Sequence, residues 1–294
     1  MKSGSRRSKP RSRTGGGFRR TFLLLLVGAA LGGLGVYLFR PKSPAPSSSA
    51  PRPAPGQSAK ARPAPETPAD FEPAEEGGHG VVALVLDDLG YGESYVERAA
   101  RLPGPIALAI LPSAPSADAA AAVARKNGWD LLVHLPLSSE TGKREPDEIS
   151  SSQSDREIEA AAVRAIDRFP GSVGLNNHQG SLAMADRRVV RTLLKTVRDR
   201  HLFFLDSRTT PARVAEEEAK SLGTPFLARD VFLDAEGTEG IAPAWARALF
   251  HARKTGSVIV IAHPHTSTLD FLESALPNLK ARGLRLVKIS ELVD

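Results

Sequence analysis

The chain has 294 residues, no cysteine and a formal net charge of +6. The lack of cysteine excludes disulfides, thiolate metal sites and a cysteine nucleophile. Ten of the 39 Lys/Arg lie in residues 1–42, which carry no acid, so elsewhere 29 basic residues face 33 acidic ones; this mildly acidic remainder excludes a polyanion-binding groove and a nucleic-acid partner.

Residues 1–20 read as a basic cytoplasmic leader. Thr21–Phe39 follows, a 19-residue stretch without a charge, which at about 1.5 Å per residue just spans a hydrocarbon core of about 30 Å. Eight basic residues precede it and only Arg40 and Lys42 follow closely, so the expected topology keeps the N-terminus in the cytoplasm and exports the rest. The expected location is therefore the cytoplasmic membrane, single-pass, with the C-terminal domain outside. A cleaved signal peptide is the alternative, and Arg19-Arg20-Thr21-Phe22-Leu23 also resembles a twin-arginine export signal. Residues 40–79, dominated by Pro, Ala and Ser, cannot bury enough apolar area to fold and read as a tether.

From residue 80 to 294 strands and helices alternate. The expected strands are Val81–Leu86, Ile106–Leu111, Asp130–Leu135, Ser172–Leu175, Leu202–Leu205, Pro225–Phe232, Ser257–Ala262 and Leu284–Ile289. The expected helices are Ala117–Lys126, one opened by the capping-box pattern Ser154-Asp155-Arg156-Glu157, Asp186–Arg200, Ala212–Ser221, Pro243–Lys254 and Leu269–Arg282. Strands apolar on both faces imply a mainly parallel sheet. About seven β-α units fit an irregular (β/α) barrel, with an open doubly wound sheet as the alternative. Ser138–Ser152 reads as a polar loop over the site.

Acidic and imidazole side chains recur where the apolar runs end, and parallel α/β folds build their active sites at those ends. Asp87-Asp88 follows the first run; such a pair can bind a cation and accept a proton, or serve only as a helix cap and turn. His134 ends the third run and His178 lies in the polar cluster Asn176-Asn177-His178-Gln179-Gly180-Ser181. One Asp and two neutral imidazoles would suit Zn²⁺ in an open site. Asp206 ends the fifth run, where Arg208 either pairs with it or holds a catalytic carboxylate. His263 ends the seventh, placed to protonate a leaving amine. Asn177, Ser181 and Asp230 are the expected substrate contacts, and Asp234 reads as a structural acid. Neither a Gly-x-Ser-x-Gly elbow nor a phosphate-binding loop is present.

Together Val85-Leu86-Asp87-Asp88-Leu89-Gly90, His134-Leu135-Pro136-Leu137, Asn176-Asn177-His178-Gln179-Gly180-Ser181, Phe204-Leu205-Asp206-Ser207-Arg208-Thr209, Arg229-Asp230-Val231-Phe232-Leu233-Asp234 and Ile261-Ala262-His263-Pro264 resemble the divergent polysaccharide deacetylase family, relatives of the NodB-type carbohydrate deacetylases. The resemblance implies a distorted (β/α) barrel, a divalent cation (usually Zn²⁺) and hydrolysis of the N-acetyl amide of an amino sugar; the export signal and tether make an envelope glycan the expected substrate. Carried over, Asp88, His134 and His178 resemble the metal ligands, Asp87 the base and His263 the acid. NodB-type enzymes carry two ligand histidines in one His-x-x-x-His-type motif, which this chain lacks. The alternative function is a non-catalytic envelope module that binds glycan or protein around a structural metal.

Overall fold

A computed structural model of the chain describes Met1, residues 80–141 and residues 143–293. The anchor, the tether and all of the leader but Met1 lie outside these residues. Among the described residues no helix is long and apolar enough to cross a membrane.

Nine strands and seven α-helices are described. In chain order these are β1 (Gly80–Leu89), α1 (Glu93–Ala99), β2 (Ala107–Ile110), α2 (Ala117–Asn127), β3 (Asp130–Leu137), α3 (Asp155–Asp167), β4 (Gly174–Gln179), α4 (Arg187–Asp199), β5 (Phe203–Asp206), α5 (Val214–Leu222), β6 (Phe226–Ala228), β7 (Val231–Phe232), α6 (Thr238–Thr255), β8 (Ser257–Ala262), α7 (Thr266–Ala275) and β9 (Leu284–Leu286). The strands form one sheet in the order β6-β5-β4-β3-β2-β1-β8-β7, with β9 also paired to β1, and every pairing is parallel. Only Arg229 and Asp230 separate β6 from β7, although these strands stand at opposite ends of that order. Arg229 N donates to Asp206 O and Asp230 N to Ile259 O. The sheet therefore curls until its two edge strands are consecutive in the chain, which leaves little unpaired edge.

Strand alternation divides the core in two. On β1, Val82, Leu84 and Leu86 face the helices, whereas Ala83 and Val85 join Ala107, Ala109, Leu132, Phe203, Leu205, Ile259 and Ile261 inside the curl, with Val287 and Ile289. Each fully buried Val, Leu or Ile stabilises by roughly 1.5–3 kcal/mol. That apolar floor offsets the polar residues stacked above it at the C-terminal strand ends.

Several local expectations hold for their stated reasons. Ser154 Oγ accepts from Glu157 N while Glu157 Oε2 accepts from Ser154 N, completing the capping box of α3. Gly128, in the left-handed region, ends α2. Others are corrected. The fourth strand is not Ser172–Leu175 but continues through Asn176, Asn177 and His178 to Gln179, because β3 pairs with it all the way. Asn176 and His178 find partners inside the site and Asn177 in the loops beside it, so none need leave the sheet. Pro225–Phe232 is two strands, broken where the chain changes neighbours. α6 begins at Thr238, not Pro243, and carries that proline inside at the cost of one backbone hydrogen bond. Leu269–Arg282 is α7, starting at Thr266, followed by two short 3₁₀ turns. The seven-residue α1 was too short to announce itself by periodicity.

Candidate metal centre and proton-transfer site

The same alternation that builds the floor aims the chemistry. Continuing Ala83 and Val85 puts Asp87 inside the curl. Continuing Leu132 brings in His134, Gly174 brings in Asn176 and His178, and Ile259 and Ile261 bring in His263. Asp88 should then face the helices, and a β-bulge prevents it. Between the pairs Leu86↔Leu108 and Leu89↔Ile110, β1 advances one residue more than β2, and Asp88 takes a φ of 56°. Bulges re-aim side chains, and Asp tolerates the left-handed region better than most residues. Gly90 follows at φ +113°, where an added Cβ would sit 2.8 Å from the Ala114 side chain. Two adjacent carboxylates thus reach one site.

Asp88, His134 and His178 converge. Asp88 Oδ1 lies 2.8 Å from His178 Nδ1 and 3.1 Å from His134 Nε2, and the two nitrogens are 3.2 Å apart. Despite these distances, buried Asp88 Oδ1 meets no donor in a hydrogen-bonding direction. Three donor atoms crowded edge to edge are what ligands of one ion look like: bonds of about 2.0–2.1 Å in a tetrahedron separate ligands by about 3.3 Å. The donor set, one carboxylate and two imidazoles with a face left over, fits Zn²⁺ in an open site.

Asn176, fully buried, organises the cluster from beneath. Its Oδ1 is 2.8 Å from His134 Nδ1 and its Nδ2 donates to Asp87 Oδ1 at 2.8 Å. Since the amide oxygen can only accept, Nδ1 of His134 carries a proton, which leaves Nε2 as the atom a cation would take, in place of the second proton that the nearby carboxylates favour there. Such outer contacts fix the tautomer of a metal-binding histidine.

The charges agree. Burial opposes a charge on His134, yet Asp87 and Asp88 outweigh it and push its pKa up to about 9. Burial alone would raise Asp88, but His134 and His178 hold it well below the usual carboxylate range. Asp87 goes the other way: burial raises it, and the nearby His134 and His263 do not compensate. The site attracts positive charge while keeping one carboxylate basic.

On the opposite wall His263 is held by Asp234. His263 N donates to Asp234 Oδ2 at 2.8 Å, the ring Nδ1 is 3.1 Å from Oδ1, and Thr268 Oγ1 also donates to Oδ2. His263 Nε2 then faces Asp88 Oδ2 at 3.7 Å. Burial would lower the His263 pKa, but Asp234, Asp88 and Asp87 raise it above the ordinary imidazole value.

Five expected residues therefore come together: Asp87, Asp88, His134, His178 and His263. The other five do not. Asp206 has the parity of Phe204, which faces the helices, and its Oδ1 accepts from Arg208 N at 2.7 Å. Arg208 makes no ion pair with it among the described residues. Both line a separate cavity of about 370 Å³ beside α5, with Thr209, Arg213 and Phe226. Asn177 accepts from Ser207 N and donates to Gln179 O and Thr209 Oγ1, and Ser181 holds Ser139 Oγ and Glu140 N. These two fasten loops to β4. Asp230 accepts from Ile259 N at 2.8 Å and lies 3.8 Å from His251, so its carboxylate seals the β7–β8 edge.

Residues missed from the sequence are Asn176, Asp234 and Arg229. Asn176 shares a strand face with His178, and Asp234 stands beyond Phe232 as His263 stands beyond its partner Ile261; parity and register were the signals. Arg229 donates to the carbonyls of Ser207 and Arg208 and lies over the Phe232 ring. It feels the charge of Asp206 and Asp87. Part of the Ser138–Ser152 segment lies beside the site: Gln179 Nε2, 3.2 Å from His178 Nε2, donates to Lys143 O at 3.4 Å, and Tyr91 Oη donates to Glu145 Oε2 at 2.9 Å.

Residues 84–293 match the divergent polysaccharide deacetylase family, and the chain belongs to it. An uncharacterized protein of Haemophilus influenzae is 34% identical over 67% of this chain and 71% of its own length. The uncharacterized protein YibQ of Escherichia coli is 33% identical over 73% of this chain and 68% of its own. Among solved structures, an uncharacterized protein of Agrobacterium tumefaciens superposes with a TM-score of 0.70 over 75% of this chain and 92% of that one, at 22% identity; it shares the fold.

Proposed function

We propose that residues 80–294 form a metal-dependent hydrolase that removes acetyl groups from an amino-sugar glycan of the cell envelope. The observation that carries this reading is the convergence of Asp88, His134 and His178 opposite the Asp234–His263 pair, with Asp87 between them in a family described as polysaccharide deacetylases.

Asp88, His134 and His178 would hold a divalent cation, Zn²⁺ by its preference for such donors, which when bound polarises an amide carbonyl and lowers the pKa of water. Asp87, kept basic in a buried site and fixed by Asn176, takes the proton of the attacking water. His263 delivers a proton from Nε2 to the departing amine, while Asp234 holds the ring from Nδ1. His178 and Asp88 remain partly exposed, with 12% and 26% of their side-chain surfaces accessible, so a substrate can reach them. The basic leader, the apolar Thr21–Phe39 and the Pro/Ala-rich tether support a domain anchored in the cytoplasmic membrane and presented to envelope glycan outside.

The test is acetate release from N-acetylglucosamine oligomers and from peptidoglycan by the Zn²⁺-loaded protein, beside Asp88→Ala and His178→Ala. Release lost in both variants supports the reading. Stoichiometric metal with no release from any acetylated glycan overturns catalysis and leaves a binding module.

A further inference from the structure

We infer that Asp234, His263 and His265 form a second, weaker site for a divalent transition-metal ion, distinct from the Asp88–His134–His178 cluster, and that filling it blocks His263. One potential ligand atom from each of the three lies within 4.8 Å of the others. His263 and His265 flank Pro264 at the C-terminal end of β8. Their ring centroids are 5.6 Å apart and tilted by 33°, close but unable to hydrogen-bond face to face. The His265 ring is exposed and makes no hydrogen bond or ion pair among the described residues, so nothing else employs it. Asp234 Oδ1 and His263 Nδ1, 3.1 Å apart, already have the separation of two ligands on one tetrahedral ion, about 3.3 Å.

Two imidazoles and a carboxylate are a Zn²⁺-type donor set. The ion would take the place of the proton that Nδ1 gives to Asp234, and that proton leaves to solvent. Occupancy is weaker here for two reasons. His265 must be ordered from a solvent-exposed state, and Asp234 Oδ2 stays committed to His263 N and Thr268 Oγ1. The consequence rests on the hydrolase reading. A ring bonded to a cation at Nδ1 holds one proton, at Nε2, and no longer cycles between one and two, so excess metal silences the proton donor.

The experiment is a Zn²⁺ titration of the full-length protein by equilibrium dialysis, with wild type, His265→Ala, His265→Asp and His178→Ala, and acetate release measured across the same titration. Wild type should bind two equivalents, the second at least roughly tenfold more weakly, as expected of an incompletely preorganised ligand set. His265→Ala should lose only the second, His178→Ala the first, and His265→Asp, which restores a ligand, should recover part of the second. Activity should fall as the second equivalent binds to wild type and hold constant in His265→Ala. A single equivalent in wild type, or a second one untouched by His265→Ala, overturns the inference. If one-equivalent protein releases no acetate at all, the hydrolase reading has failed, while the binding isotherms still decide the site.

Discussion

Asp87 and Asp206 look alike in the sequence: each ends an apolar run, each is buried, and burial raises the pKa of each. Their hydrogen-bond partners differ, although Arg229 feels the charge of both. Asp87 points into the curl, takes a hydrogen bond from Asn176 and lies 3.7 Å from His134 Nε2. Asp206 points toward the helices and caps the backbone N–H of Arg208. A strand end is therefore only half an address. The parity of the residue against the apolar floor decides whether its charge joins the cluster or stabilises a turn.

The sharpest break of this contrast comes from the ligands. His178→Ala and Asp88→Ala should each weaken Zn²⁺ binding by more than about 100-fold, beyond the 10–100-fold typical of outer contacts, while Asp206→Asn leaves metal content unchanged; inductively coupled plasma analysis after gel filtration separates them. Asn176→Ala should come next, with metal affinity reduced by roughly 10–100-fold and stability by about 1–3 kcal/mol, since buried Asp87 and His134 both lose a partner; denaturant melts beside metal titration check both. Asp234→Asn should act on the proton donor without removing the ion held by Asp88, His134 and His178. The His263 pKa is raised in the fold, so its protonated form persists above the ordinary imidazole range and is lost as pH rises through that raised value. Without the Asp234 charge the alkaline limb of the rate profile should move to lower pH, with kcat reduced by roughly 10²-fold or less. The smallest effect belongs to Asp206. A carboxylate whose pKa is raised on folding favours the folded state below its unfolded pKa, and that stability is lost as pH rises through the raised value. Asp206→Asn should flatten this slope in thermal melts and leave acetate release alone.

Much of the architecture was legible because it rests on long, two-sided apolar runs: β1, β3 and β8 stand close to where the pattern puts them. Asp87, Asp88, His134, His178 and His263 could be singled out because strand ends share one rim. What failed did so for definable reasons. Hydrophobicity ended β4 at Leu175, because polar residues that pair with other buried polar groups are indistinguishable in sequence from a loop. Asn177, Ser181 and Asp230 have ligand-like chemistry, and only the three-dimensional partners reveal that backbone and loops already claim it. In sequence Asp234 looks merely structural because its importance lies in the register between β7 and β8, and β7 is only two residues long. The bulge at Asp88 leaves no sequence mark beyond an Asp before Leu-Gly.

Whether Asp88, His134 and His178 hold one divalent cation is decided by the metal content of full-length protein purified without added metal or chelator, beside His178→Ala and Asp206→Asn. One tightly held equivalent is expected in wild type and Asp206→Asn, and none in His178→Ala. Folded wild type that stays metal-free after Zn²⁺ is supplied, or equal metal in His178→Ala, would contradict that expectation.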